Sequence, residues 1–212
     1  MQDKRPWRLA AVDWDGPCAT SLLVYYWSVR AAFRSVKMPA PSLAFFRDAV
    51  SANVERFYDL TGITEHLTMQ EIDKIRDAYL KRHWSAIRPT HGIHGLMRAC
   101  ALRKIPFVIV SSNERLHIEQ KLRAFRLRRF VADIIESHRK KEALERLAKR
   151  FRVPFGNILF VEDSSEPIVA ANELGVSTVA FLGGFNSQTK LLAANPTFIA
   201  QHMNDVTGLI RQ

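Results

Sequence analysis

Cysteine is nearly missing from this chain: Cys18 and Cys100 are the only two in 212 residues. Neither has a partner at metal-ligand spacing, which argues against a disulfide framework and a cysteine zinc site and fits a reducing compartment. Long apolar runs are missing too; nothing approaches the ~18 residues that a membrane-spanning helix needs. The opening Met-Gln-Asp-Lys-Arg-Pro-Trp-Arg lacks the basic-then-apolar order of a secretory leader, so a cytoplasmic protein without a membrane partner is expected. Seven histidines are scattered, and the closest pair, His91 and His94, completes no zinc site. Acidic residues are in deficit, 21 against 31 lysines and arginines, for a formal net charge of +10. The excess gathers around 123–129, 139–141 and 149–152 without interleaved aromatics, a helix-turn-helix signature or finger spacing. It therefore reads as solvated helix faces with a general pull on anions, and nucleic acid is only a secondary candidate partner.

What is present suits one domain of ordinary size, or one domain carrying a modest insert, with 47% hydrophobic and 25% charged residues. The most informative segment is Leu9 to Gly16, Leu-Ala-Ala-Val-Asp-Trp-Asp-Gly. A buried strand here would end in two carboxylates, Asp13 and Asp15, held at the rim of a sheet, and Gly16 lets the chain leave in a conformation other residues resist. One carboxylate can attack phosphorus while the other protonates the leaving oxygen and later activates water. The plainer alternative is a pair of turn-forming aspartates closing a strand.

Between Thr20 and Trp84 the pattern is helical. Leu22, Leu23, Tyr26, Val29, Ala32, Phe33 and Val36 recur at steps of three and four, and Met38-Pro39-Ala40-Pro41 ends that helix. Ser42 is placed to cap a second helix running through Val50 to Phe57, and Thr68 with Glu71 forms a capping box for a third. From His91 onward strands and helices alternate. Strands are expected at 106–110, 132–135, 157–161, 177–181 and 197–199, with helices at 95–104, 115–125, 140–151, 167–174 and 204–210. Repeated strand-helix units imply a parallel sheet covered on both faces, an α/β Rossmann-like core.

In such a sheet, the working site lies outside the carboxyl ends of the strands. Asp13 and Asp15 follow the first strand, Ser111, Ser112 and Asn113 the second, and Glu162, Asp163, Ser164 and Ser165 a later one. Lys140 and Lys141 open the helix between the last two groups. Carboxylates, hydroxyls and a cation should thus converge.

This set resembles the haloacid dehalogenase superfamily, most of whose members are magnesium-dependent phosphatases. Asp-Trp-Asp-Gly is similar to the family's first motif, Val-Ser-Ser-Asn to its second, the lysine of Lys-Lys-Glu-Ala-Leu to its third and Val-Glu-Asp-Ser to its fourth, in the family's order. The resemblance implies that Asp13 is a nucleophile forming an aspartyl-phosphate and Asp15 the general acid and base. It implies phosphate binding by Ser111, Ser112 and Asn113, and a lysine against Asp13. Lys140 is preferred because it stands four residues before Leu144, with Lys141 the competing choice. Magnesium would be held by Asp13, Asp163 and the backbone carbonyl of Asp15, supported by Gly16, Glu162 and Ser164. Few carboxylates plus phosphate and water suit its six near-octahedral positions. The family's organisation implies a core of residues 1–17 and 89–212 and a helical cap of residues 18–88, which closes the pocket and selects substrate. Arg30, Arg34, Lys37, Arg47 and Arg56 are candidates there for a second anionic group. Pro17 replaces a common threonine and Trp14 is bulky, but no reacting group is lost.

The expected activity is hydrolysis of a small phosphorylated metabolite, in the style of phosphoglycolate and sugar phosphatases, by a monomer or homodimer. The alternatives are a phosphomutase of the same fold and a catalytically silent, basic nucleic-acid-binding relative. A dehalogenase is disfavoured because it needs no metal and usually lacks an acid at the position of Asp15.

Overall fold

Four consecutive buried residues, Leu9–Val12 (β1), form the middle of the sheet, and their alternation decides which helices cover which face. The computed structural model describes residues 7–51 and 54–212. The expectations for residues 1–6, including the leader reading and the first part of the 1–17 boundary, lie outside the described residues.

After β1 the chain enters a helical insert of α1 (Leu22–Ser35), α2 (Leu43–Ala49), α3 (Val54–Leu60) and α4 (Met69–His83). It returns through α5 (Ile93–Leu102), β2 (Phe107–Ser111), α6 (Arg115–Ala124), β3 (Val131–Glu136) and α7 (Lys140–Phe151). The last part is β4 (Ile158–Glu162), α8 (Ser165–Asn172), β5 (Ser177–Phe181), α9 (Gln188–Ala193), β6 (Phe198–Ala200) and α10 (Met203–Arg211). The six strands are all parallel in the order β3-β2-β1-β4-β5-β6. Connections run to one side of β1 through β2 and β3, then cross to β4 on its other side. The strand order reverses at β1, where a crevice opens at the carboxyl ends.

Ala10 and Val12 belong to the larger apolar cluster with Ile109, Val161, and the buried faces of α5, α6 and α10. Leu9 and Ala11 belong to the opposite cluster with Val108, Val110, Phe160, and Ala143, Leu144 and Leu147 of α7. The strand period of two thus fixes both faces. The insert has its own core, with Tyr26, Phe33, Phe46, Phe57, Tyr58, Ile63 and Ile72 buried together. Its two connections to the sheet run side by side: Thr20 N–H donates to the Arg88 carbonyl at 2.9 Å and Thr90 N–H to the Cys18 carbonyl at 3.0 Å.

Two expectations need correction. The helix foreseen from Ser42 through Val50 to Phe57 is interrupted: Ser42 caps α2 as expected, but Val50 is extended (φ −64°, ψ 135°). Its carbonyl accepts from Asn186 Nδ2 and Lys190 Nζ, and these tertiary bonds take the place of the next helical turn. The six residues of α9, capped by the Ser187 side chain, were not foreseen; so short a helix gives little periodic signal.

Candidate active site

Asp13 follows Val12 and shares the strand parity of Leu9 and Ala11, so its side chain emerges on the face covered by α7. Glu162 shares the parity of Ile158 and Phe160 on the same face. Lys140, the first residue of α7, is carried over both. Its Nζ donates to Asp13 Oδ1 and to the Val110 carbonyl, and stands 3.5 Å from Glu162 Oε2. Lys141 points away and pairs with the exposed Glu173 at 2.6 Å. Of the two lysines, Lys140 reaches the carboxylates.

Asp163 is clamped by backbone. Its Oδ2 accepts from Phe185 N–H at 2.9 Å, and its carbonyl accepts from Asn186 N–H at 3.0 Å. A Cβ at Gly16 would fall 2.0 Å from Asp163 Oδ2, and one at Gly184 only 1.8 Å from the same atom. Gly16 also adopts φ +85°, so both its conformation and its bare surface are used. Ser164 Oγ donates to Asp163 Oδ1 at 3.3 Å, and Asn186 Oδ1 accepts from Ser165 N–H at 2.9 Å. The Gly183-Gly184-Phe185-Asn186 loop after β5 escaped the sequence reading, although a glycine pair directly after a strand was a signal for it.

Asp13, Glu162 and Asp163 are buried and bring one ligand oxygen each within 4.8 Å of the others. Burial and the Asp13 charge raise the Glu162 carboxyl above its ordinary range; burial, Glu162 and Asp13 do the same to Asp163. Burial opposes the Lys140 charge, but Asp13, Glu162 and Asp163 outweigh it and hold the ammonium protonated. One lysine does not balance this cluster. Glu162 Oε2 is buried without a hydrogen-bond partner. Oxygen donors, an excess of negative charge and a buried carboxylate oxygen that accepts no hydrogen bond fit a hard divalent cation such as magnesium.

Asp15 lies beside this cluster with different partners. It accepts from Asn113 Nδ2 at 2.6 Å, and Ser21 and Asn113 both favour its charged form. Burial and Asp13 outweigh them and push its carboxyl up to about 6. Asn113 Oδ1 in turn accepts from the Tyr25 hydroxyl of α1 at 3.4 Å, which links the insert to the sheet rim. Buried Ser111 turns its Oγ toward Asn113 N–H at 3.1 Å, while Ser112 is exposed. All three line a cavity of about 450 Å³ together with Asp13, Asp15, Lys140, Glu162, Asp163 and Ser164. A larger hollow of about 620 Å³ lies beyond Gly16, between Trp27, Tyr79, His83 and Phe181, and is lined by no carboxylate.

Other expectations resolve plainly. Cys18 is buried next to the acids, and burial with the Asp13 and Asp15 charges drives its thiol well up, which suits an inert core residue. His91 and His94 are exposed. The cations of the insert do not line the cavity: Arg30 lies over Trp27 at 4.5 Å, and Arg47 donates to the carbonyls of Leu182 and Asn186 at 2.8 and 2.9 Å. The basic runs are largely solvated, as Arg123, Arg139 and Arg150 illustrate, each with more than half of its side chain exposed.

The chain is similar to known proteins. The family model of haloacid dehalogenase-like hydrolases matches residues 12–181. Phosphoglycolate phosphatase of Synechococcus elongatus is 30% identical over 129 residues, covering 57% of this chain and 60% of that protein. Among solved structures, a predicted phosphoglycolate phosphatase from Haemophilus somnus 129PT superposes with a TM-score of 0.80 at 19% identity, covering 99% of this chain and 100% of that one. A haloacid dehalogenase-like family hydrolase from Streptococcus pneumoniae gives 0.76 at 17% identity, over 96% and 98% of the two chains.

Proposed function

The chain belongs to the haloacid dehalogenase-like hydrolases, and from that membership we propose that it is a magnesium-dependent phosphatase acting on a small phosphomonoester through an aspartyl-phosphate. One observation carries the reading: Asp13, Lys140, Glu162 and Asp163 meet at the strand-order reversal, and a separate acid, Asp15, opens into the same cavity.

In this reading Asp13 attacks phosphorus in line and the ester oxygen leaves with a proton from Asp15. Asp15 then takes a proton from the water that attacks the aspartyl-phosphate, which regenerates Asp13 and releases inorganic phosphate. Burial and the Asp13 charge raise the Asp15 carboxyl to about 6, closer to neutrality than an ordinary aspartate, which suits a group that both gives and takes a proton. Ser111, Ser112 and Asn113 bind the phosphoryl oxygens from the end of β2, and the Lys140 ammonium offsets the charge that gathers as phosphate approaches Asp13. Asp13, Glu162, Asp163 and the backbone carbonyl of Asp15 would hold magnesium. When bound it supplies charge neutralisation at the phosphoryl group. Gly16 and Gly184 serve by letting Asp163 approach closely, and Ser164 braces its carboxylate.

Residues 18–88 act as the cap in this reading, covering the cavity with Tyr25, Val50, Ser51 and Val54. The side-by-side entry and exit segments at 18–20 and 88–90 support those boundaries. Phosphoglycolate is a natural first substrate to assay, since it names the Synechococcus relative.

The test is hydrolysis of an aryl phosphate with magnesium present. Asp13→Asn is expected to lower the rate by ~10³-fold or more with an unchanged circular dichroism spectrum. Excess chelator is expected to abolish the wild-type rate. A wild-type rate no higher than that of the variant, or one indifferent to chelator, overturns the proposal.

A further inference from the structure

The wall facing the reacting groups is made by the insert and the loop after β5, and its make-up restricts the alcohol that can leave. Tyr25 and Phe185 meet edge to face with ring centroids 5.5 Å apart. Val50 and Val54 continue this surface, and Ser51 adds a hydroxyl. Glu166 also lines the cavity, and it interacts electrostatically with Lys190 of α9. Among the described residues, Lys140 is the only lysine or arginine lining the cavity, and it is committed to Asp13 and Glu162. His138, the other basic group at the cavity, is exposed on the β3–α7 turn, two residues from Lys140 and not on the insert.

Three cations that stand nearby, outside the cavity lining, make contacts within the protein, although Arg47 Nε and Arg76 Nε have no hydrogen-bond partner. Arg47 donates to the Leu182 and Asn186 carbonyls, Lys190 donates to the Val50 carbonyl, and Arg76 pairs with Asp73 at 3.2 Å. The insert is also already seated on the sheet. Tyr25 reaches Asn113, Asn186 Nδ2 donates to the Val50 carbonyl at 3.2 Å, and Ser187 N–H donates to the Arg47 carbonyl at 3.1 Å. These contacts place the insert's side chains where substrate meets them, with apolar and aromatic groups forward.

Building on the phosphatase reading, we infer that the substrate is a phosphomonoester of an uncharged alcohol, held by carbon contacts with Tyr25, Val50, Val54 and Phe185, and that esters bearing a second anionic group are selected against. A carboxylate on the leaving side would lose its water against apolar carbon, and among the described residues no lysine or arginine but the committed Lys140 lines the cavity to receive it. Phosphoglycolate, whose carboxylate is such a second anionic group, is therefore disfavoured.

The two readings separate in one assay series on the wild-type protein with magnesium. Phosphoglycolate and 2-hydroxyethyl phosphate are nearly equal in size and differ chiefly in the charge of the group beyond the ester carbon. The expected kcat/KM for 2-hydroxyethyl phosphate is tenfold or more above that for phosphoglycolate. A smaller preference, parity or the reverse, with Asp13-dependent turnover of both esters, overturns this inference and keeps the phosphatase reading. A protein that hydrolyses neither ester and no aryl phosphate fails the phosphatase reading, and this inference falls with it.

Discussion

The rim of the sheet and the interior of the insert are both buried, yet they are built on opposite principles. At the rim, Asp13, Glu162 and Asp163 are buried around one lysine with half-buried Asp15 beside them, and Glu162 Oε2 has the Lys140 ion pair but no hydrogen bond. Such an arrangement costs stability, since buried like charges repel and push carboxyls up. Inside the insert, Phe46 and Phe57 meet at 5.4 Å and 89°, and Phe57 and Tyr58 at 5.2 Å and 70°, geometries that aromatic rings favour. One region holds an excess of buried negative charge that a bound cation would relieve. The other is an ordinary core whose outer surface shapes the cavity. In the proposed reading, chemistry and selection fall to different stretches of chain, and substitutions in the two should fail differently.

The sharpest contrast lies within the rim, between adjacent lysines. Lys140→Met removes the counter-charge of Asp13 and Glu162, and the phosphatase rate is expected to fall by ~10³-fold, about 4 kcal/mol of transition-state stabilisation. Lys141→Met breaks only a surface pair with Glu173 and should leave the rate within about twofold of wild type. Equal losses in the two would sink the assignment of the lysine. The measurement is kcat/KM on an aryl phosphate, with thermal melting to establish that both variants are folded.

In the insert the expected loss is of stability. Phe57 is fully buried among Phe45, Phe46 and Tyr58, and Phe57→Ala leaves a cavity there costing about 3–4 kcal/mol. Denaturant unfolding should show a lower midpoint. At low denaturant, where the protein is still folded, turnover of an aryl phosphate should fall far less than in Lys140→Met. A loss of turnover as large as that of Lys140→Met in folded protein would erase the division between the regions.

The same division explains what could be read in the sequence. The carboxylates at the rim were legible because they follow short apolar strands, and in a parallel sheet strand ends share one edge. Lys140 is preferred over Lys141 on position in the motif, and the parity of Ala11, Asp13, Phe160 and Glu162 gives the physical reason: all lie on the face that α7 covers. Less visible was the clamp on Asp163, because Gly184 and Phe185 act through a bare Cα and an N–H that no side-chain pattern announces. The break at Val50 was hidden for a related reason. Its carbonyl finds partners in Asn186 and Lys190, more than 130 residues away, and helical periodicity cannot anticipate a competing tertiary bond. The cations of the insert were visible as letters, but not their use on carbonyls and rings.

The smallest effect is expected where the two regions touch. Tyr25 of the insert donates to Asn113 Oδ1, and Asn113 presents Nδ2 to Asp15, so the phenol fixes which end of the amide faces the acid. Tyr25→Phe keeps the ring against Phe185 but frees the amide to turn its oxygen toward Asp15, which would misplace the proton donor without removing it. A proton donor matters most when the departing oxygen is a strong base. Loss of the hydroxyl should therefore lower kcat by about tenfold for an alkyl phosphate and by no more than about twofold for p-nitrophenyl phosphate, whose phenolate leaves without help. General loosening of the insert would slow both esters alike, so equal losses would mean that the insert only covers the site and takes no part in orienting its acid.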